Sequence, residues 1–314
     1  TAVSERGHAK GKTKSKKIVK LTALAGAVIG SLAVSQAATA AADLTTNDAV
    51  NIAPDNVPNP TAGREAVAVG PNAIASQQHS IAIGRNANAN WTNTIAIGKD
   101  TVANKDHALA LTTGAQATGV QSVAIGSFSN STADSSVAVG QESNATGSAA
   151  VATGYLAKAA AANTVATGKS ATATVDNAVA VGVQTTASAR NAMALGGYAA
   201  ASGERASAVG AASKASGTAS FAGGTSANAT GTNSVAIGGS MTPADAAQAK
   251  GNQTIAIGTK SNAVGDDSIA QGNAANAKDV SSIAHGTSAT AYKESDIAIG
   301  TSSVADGSQK SQGS

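Results

Sequence analysis

The chain has 314 residues, 42% of them hydrophobic but only 2% aromatic and 12% charged, about half the ~25% charge of an ordinary globular domain. Alanine carries most of the apolar share, which excludes a thick core of large side chains, and the absence of cysteine excludes disulfides and thiolate metal sites. The formal charge of +3 arises in the first 20 residues, where seven basic side chains face Glu5 alone; the remainder is net acidic, so no nucleic-acid surface is indicated.

In chain order, the first element is a leader. Basic residues from Lys10 to Lys20 precede an apolar run, Leu21–Val34, and small residues follow through Ala42. This is the layout of a secretory signal peptide, with cleavage expected after Ala40 or Ala42. A transmembrane helix is the competing reading; Gly26, Gly30, Ser31 and the Ala-x-Ala exit argue against it. The expected organisation is a signal region at 1–42, a lead-in at 43–64, a repeat region at 65–300 with an insertion at 239–254, and the start of an unfinished unit at 301–314.

The repeat region is spelled by units of aliphatic-Ala-aliphatic-Gly, such as Val67-Ala68-Val69-Gly70 and Ile81-Ala82-Ile83-Gly84. Seventeen units recur at a step of 14 residues, broken by one step of 20 between Gly238 and Gly258, and all but the unit ending at Thr112 close with glycine. A fixed step over so long a stretch predicts a solenoid. Alternation within each unit predicts a short strand, and the closing glycine predicts a sharp turn. A second short strand is expected a few residues on, with small inward residues such as Ala73 and Ala75, Ala87 and Ala89, Thr101 and Ala103, Ser143 and Ala145. Two strands and two turns per coil predict an all-β parallel roll, a rod of roughly 80 Å at ~4.8 Å per coil. The six-residue period of hexapeptide helices and the Gly-Gly-x-Gly-x-Asp nonapeptides of calcium-binding rolls are both missing from the sequence.

The two aliphatics of each unit are expected to point inward, which sends the residue between them outward. That residue is alanine in all seventeen units: Ala68, Ala82, Ala96, Ala110, Ala124, Ala138, Ala152, Ala166, Ala180, Ala194, Ala208, Ala222, Ala236, Ala256, Ala270, Ala284 and Ala298. Alanine is a poor strand former, so an unbroken outward stripe of it predicts a smooth face on which sister chains pack. Coils this thin bury too little to offset the ordering of fourteen residues, and an obligate oligomer is expected.

With these residues in hand, the chain resembles the head of a YadA-like trimeric autotransporter adhesin. The family's repeat, close to Asn-Ser-Val-Ala-Ile-Gly, stands here at Asn233–Gly238, with near copies at Gln121–Gly126 and Asp134–Gly140. The stretch Ala2-Val3-Ser4-Glu5-Arg6 with Gly11-Lys12 is similar to the tail of the extended signal region on type V secretion precursors. That region ordinarily starts with Met and an aromatic-rich stretch, whereas this chain opens at Thr1. The resemblance implies left-handed coiling, a homotrimer, export to a Gram-negative surface, outer-membrane anchoring through a C-terminal part, and attachment to host matrix protein, cells or abiotic surfaces. The neck, heptad stalk and barrel anchor of that family are not in view after Gly300, so the chain reads as a fragment.

Single residues add less. Gln271 and His285 share the second aliphatic position in successive units, as do Thr153 and Thr167, and each pair is expected inward as a hydrogen-bonded ladder. The insertion places Met241, Thr242, Pro243 and Asp245 in a loop off the rod, a candidate for ligand contact. Trp91 and Tyr155 fall at turns. No catalytic constellation, metal set or cofactor motif is present, and no enzyme is expected. Adhesion by multivalent contact is the leading function; a spacer rod without a ligand is the alternative, and the unranked residues after each glycine argue against ice binding.

Overall fold

A three-residue strand and a two-residue strand alternate along the chain, and eighteen of each stack into two parallel sheets, A and B. The computed structural model describes residues 50–52 and 60–307; the signal region lies outside the described residues. Register advances by one whole coil: Val123, Ala124 and Ile125 pair with Val137, Ala138 and Val139 in sheet A, and Asn130 and Ser131 with Asn144 and Ala145 in sheet B. The 14-residue parallel solenoid is therefore as the repeat dictates.

The roll starts earlier than Glu65. Val50–Ile52 pairs with Val67–Val69 and Thr61–Ala62 with Ile74–Ala75, so part of the expected lead-in is already coil. Its strand reads Val-Asn-Ile, which the alanine spelling could not flag. At the other end Val304–Ala305 pairs with Thr290–Ala291, the beginning of the further coil.

Both turns of each coil are built alike. From Glu65 to Asn233 every seventh residue is left-handed, for example Asn72 at φ 57°, Asn86 at 58° and Asn93 at 56°, with Gly114 at 69° taking one such place. Asn tolerates this region better than most residues, which explains its frequency there. The coil is thus two seven-residue halves, a period hidden beneath the more visible fourteen. The unit-closing glycine does something further. Gly126 sits at φ 134°, and a Cβ there would lie 2.4 Å from the carbonyl oxygen of Gly140 in the next coil. Backbone stacks on backbone along this column, which Thr112 at φ 84° interrupts with a side chain.

The interior overturns one expectation. Each coil sends four residues inward, such as Ser122, Ala124, Ser129 and Ser131, all fully buried. No valine, leucine, isoleucine, methionine or aromatic side chain is buried among the described residues; the largest fully buried side chains are threonines. The whole alanine column from Ala68 to Ala298, expected outward, is instead the core: sixteen of its members are 0% exposed within a single chain and Ala298 is 3% exposed. These alanines cannot form an interface between chains. The reason is the width of the coil. Strands of three and two residues joined by tight left-handed turns hold the sheets so close that only methyl and hydroxymethyl groups fit between them, and the pleat then turns both aliphatics of each unit outward.

The interior hydroxyls are not left unpartnered as a class. Ser122 Oγ donates to the Gly119 carbonyl at 2.7 Å, Thr94 Oγ1 to Trp91 at 2.6 Å, and Ser143 Oγ to Gly140 at 2.8 Å. Each closes the turn three residues upstream, so a buried polar group is satisfied locally while it tightens the corner.

Candidate functional site

The two outer faces differ in chemistry. Sheet A presents Val67 and Val69, Ile81 and Ile83, Ile95 and Ile97, and so on to Ile297 and Ile299, every one of them partly or fully exposed. Ile83 and Ile97 are each 37% exposed and Ile237 41%. Seventeen such rungs make a mostly aliphatic stripe roughly 80 Å long at ~4.8 Å per coil, interrupted by Thr153, Thr167, Ser207, Gly223, Gln271 and His285. Contiguous apolar surface on that scale marks a contact surface rather than a solvated face. The outward residues of sheet B are mostly polar, including Asn88, Gln116, Asn130, Asn144, Lys158 and Thr172. Neighbouring amides there link along the rod: Asn130 Nδ2 donates to Asn144 Oδ1 at 3.5 Å and Asn262 Nδ2 to Asn276 Oδ1 at 3.2 Å.

Gln271 and His285, expected inside the coil, lie on the outer face of sheet A, where His285 Nδ1 is 3.1 Å from Gln271 Oε1. Thr153 and Thr167 are on that face too, paired in register. The ladder geometry was legible from spacing; the side of the sheet was not.

The insertion lies between Ile237 and Gln248, where a sheet A strand crosses to sheet B, and residues 248–254 are already regular coil. Pro243–Asp245 form one short 3-10 turn. Of the four loop residues singled out, Met241 projects at the tip with 95% exposure. The Thr242 carbonyl accepts from Asp245 N at 2.9 Å, and the Pro243 carbonyl accepts from Gln248 Nε2 at 3.0 Å. Asp245 is anchored rather than free: its carboxylate is 3.3 Å from Lys260 Nζ, and its carbonyl accepts from the Lys260 amide at 2.6 Å. So pinned, the loop overhangs sheet B and encloses a cleft of about 470 Å³ with Lys214, Asn228, Pro243, Gln248 and Lys250 on its walls.

Two exposed clusters complete the polar surface. Glu65 accepts from Gln78 Nε2 at 2.7 Å and lies 2.8 Å from His79 Nε2; the Gln78 bond, with Arg64 and His79 nearby, holds its carboxyl below the ordinary value of 4.5. Asp100 is held below 3.8 chiefly by the Asn86 amide, which donates to it at 2.6 Å, with Lys99 and Arg85 adding charge. Among the described residues no group of three or more His, Asp or Glu side chains is placed to hold a metal ion.

A stacked parallel roll with one mostly aliphatic face, one mostly polar face and one overhanging loop defines a solenoid rod. The chain belongs to the YadA head family: the family described as YadA head domain repeat matches it in successive segments from residue 62 to residue 289, well over half its length. Residues 241–244, the tip of the inserted loop, fall between two of those segments. No curated protein matches the chain. Family and fold together point to a non-enzymatic protein with an adhesin-type role at a bacterial cell surface.

Proposed function

We propose that the chain is the head of a trimeric surface adhesin, a left-handed roll exported past the cytoplasmic membrane by the signal region at 1–42. Three copies pack through the aliphatic face of sheet A, not through the alanine column. That face carries the reading: its rungs, mostly valine, leucine and isoleucine, call for cover, whereas the amides and lysines of sheet B suit a solvent-facing, ligand-facing surface. Packed this way, each trimer shows three sheet B faces and three copies of the loop bearing Met241, Thr242 and Pro243. Repetition along and around the rod lets weak single contacts sum into firm attachment to matrix protein, cells or an abiotic surface.

The test is attachment itself. Beads coated with the chain are expected to adhere to matrix-coated wells, epithelial monolayers or polystyrene more than beads coated with an inert protein. Background adhesion on all three surfaces would overturn the reading. Deleting residues 240–245 restores the 14-residue step, and is expected to lower attachment through the loop while leaving particle mass unchanged.

A further inference from the structure

Trp91 is the only tryptophan of the chain. It stands on a turn at 42% exposure, beside a cleft of about 470 Å³ that runs from Ser76 and Gln77 of the preceding coil, past Asn90 and Trp91, to Asp106 of the following one. This cleft is separate from the inserted loop. Two features make it more than an exposed ring. The Asp106 carboxylate, also on the cleft wall, has no hydrogen bond or ion pair with any described residue. Lys105 Nζ lies over the indole, 5.0 Å from its centroid.

The site therefore offers an aromatic plane and an unpartnered carboxylate, and it suits a ligand with an apolar face and hydrogen-bond donors. Two chemistries meet that description: a pyranose, whose C–H face stacks on indole while its hydroxyls donate, and an arginine side chain, which stacks and donates with positive charge. Lys105 decides between them, because its ammonium repels a second cation, whereas a neutral ring stacks on the indole once the exposed lysine side chain swings aside. We propose that the Trp91 cleft binds a neutral pyranose of a surface glycan, with Trp91 stacking on the sugar and Asp106 accepting from its hydroxyls. The inference deepens the adhesin reading by naming a ligand class, and it can fail independently: sugar binding is read on the purified chain, attachment on surfaces.

Since Trp91 is the only indole, its fluorescence reports this cleft alone. Titration of the 314-residue chain with methyl β-galactoside, methyl β-N-acetylglucosaminide, methyl α-mannoside and chitotriose is expected to give a saturable emission change with at least one sugar in the millimolar range. Asp106→Asn, which keeps the shape of the side chain and removes the charge, is expected to weaken that binding about tenfold. Trp91→Ala removes the fluorophore, so it is followed by saturation-transfer NMR with the same sugar. Its signal should vanish while circular dichroism stays that of the native roll; if the alanine variant does not fold, Trp91→Phe is used, with a weakened signal expected. The proposal is overturned if no sugar changes the emission, if Asp106→Asn binds as well as the parent, or if an arginine tripeptide saturates the site and the sugars do not.

Discussion

The outer faces of sheet A and sheet B belong to the same coil, are built from the same backbone and follow the same pleat, yet one is aliphatic and the other polar. Sheet A carries two outward residues per three-residue strand, mostly Val, Ile or Leu; sheet B carries one per two-residue strand, commonly Asn, Thr or Lys. Because the interior between them takes only Ala, Ser and Thr, neither face is recruited into the core of its own chain. The difference teaches that in this roll large hydrophobics are not core residues. They stand on the outer face of sheet A, and none of them is fully buried within one chain.

Substitutions that break this comparison are ordered by how deeply they cut. The largest effect is expected inside. Ala166→Phe drives a ring into a layer sized for methyls, and Gly140→Val aims a branched side chain at the Gly154 carbonyl, 2.6 Å from where its Cβ would be. Each should cost about 3 kcal/mol or more, seen as a large fall in the guanidinium unfolding midpoint. Ala124→Glu belongs with these, since its carboxylate would be buried in the coil; loss of folding, not clean release of monomers, is the expected result.

Next come the sheet A rungs. Val137→Lys with Val165→Lys leaves the single coil intact but sets charges on the aliphatic face, so light scattering should show a smaller particle that keeps its strand circular dichroism. A double variant of unchanged mass would move the interface elsewhere. On sheet B, Thr172→Lys is expected to change stability by no more than about 0.5 kcal/mol, with mass unaltered. A larger loss there would erase the distinction between the faces.

The smallest expected effect is one of pH. A carboxyl held below its ordinary value contributes stability above that value and loses it as pH falls through the lower folded-state value. Glu65, held below 4.5 chiefly by the Gln78 amide, should therefore support the first coils at neutral pH and cease to do so in acid. Glu65→Gln is expected to leave a slightly shallower acid-unfolding curve below pH 4.5. Identical curves would mean that this exposed cluster contributes nothing.

Much of this was legible beforehand, for reasons that differ by residue. The coil length follows from counting glycines, and Ala73, Ala75, Ala87 and Ala89 were rightly placed inside because small residues repeat at both inward positions of the second strand. The column Ser80, Thr94, Ala108, Ser122 and Ser136 carried the missing clue. It lies two residues before the alanine column, hence on the same side of the pleat, and it is as uniformly small. A face made of nothing but Ala, Ser and Thr on both strands fits an interior too thin for anything larger. The left-handed residue in every seven was not legible, because Asn, Ser, His, Gln, Phe and Tyr all occupy it and only the backbone reveals what they share. The Trp91 cleft was equally hidden, since Ser76, Gln77, Trp91 and Asp106 come from three coils.

By itself the sequence determined that this chain coils, in steps of fourteen, with strands alternating and glycines at the corners, because periodicity of side-chain chemistry translates directly into periodicity of backbone. It did not determine which side of each strand is the inside. Two aliphatics flanking an alanine define two faces but do not order them. Only the separation of the two sheets, set by the tight left-handed turns, decides that methyls go in and branched chains go out, and so decides which side chains the roll presents outward.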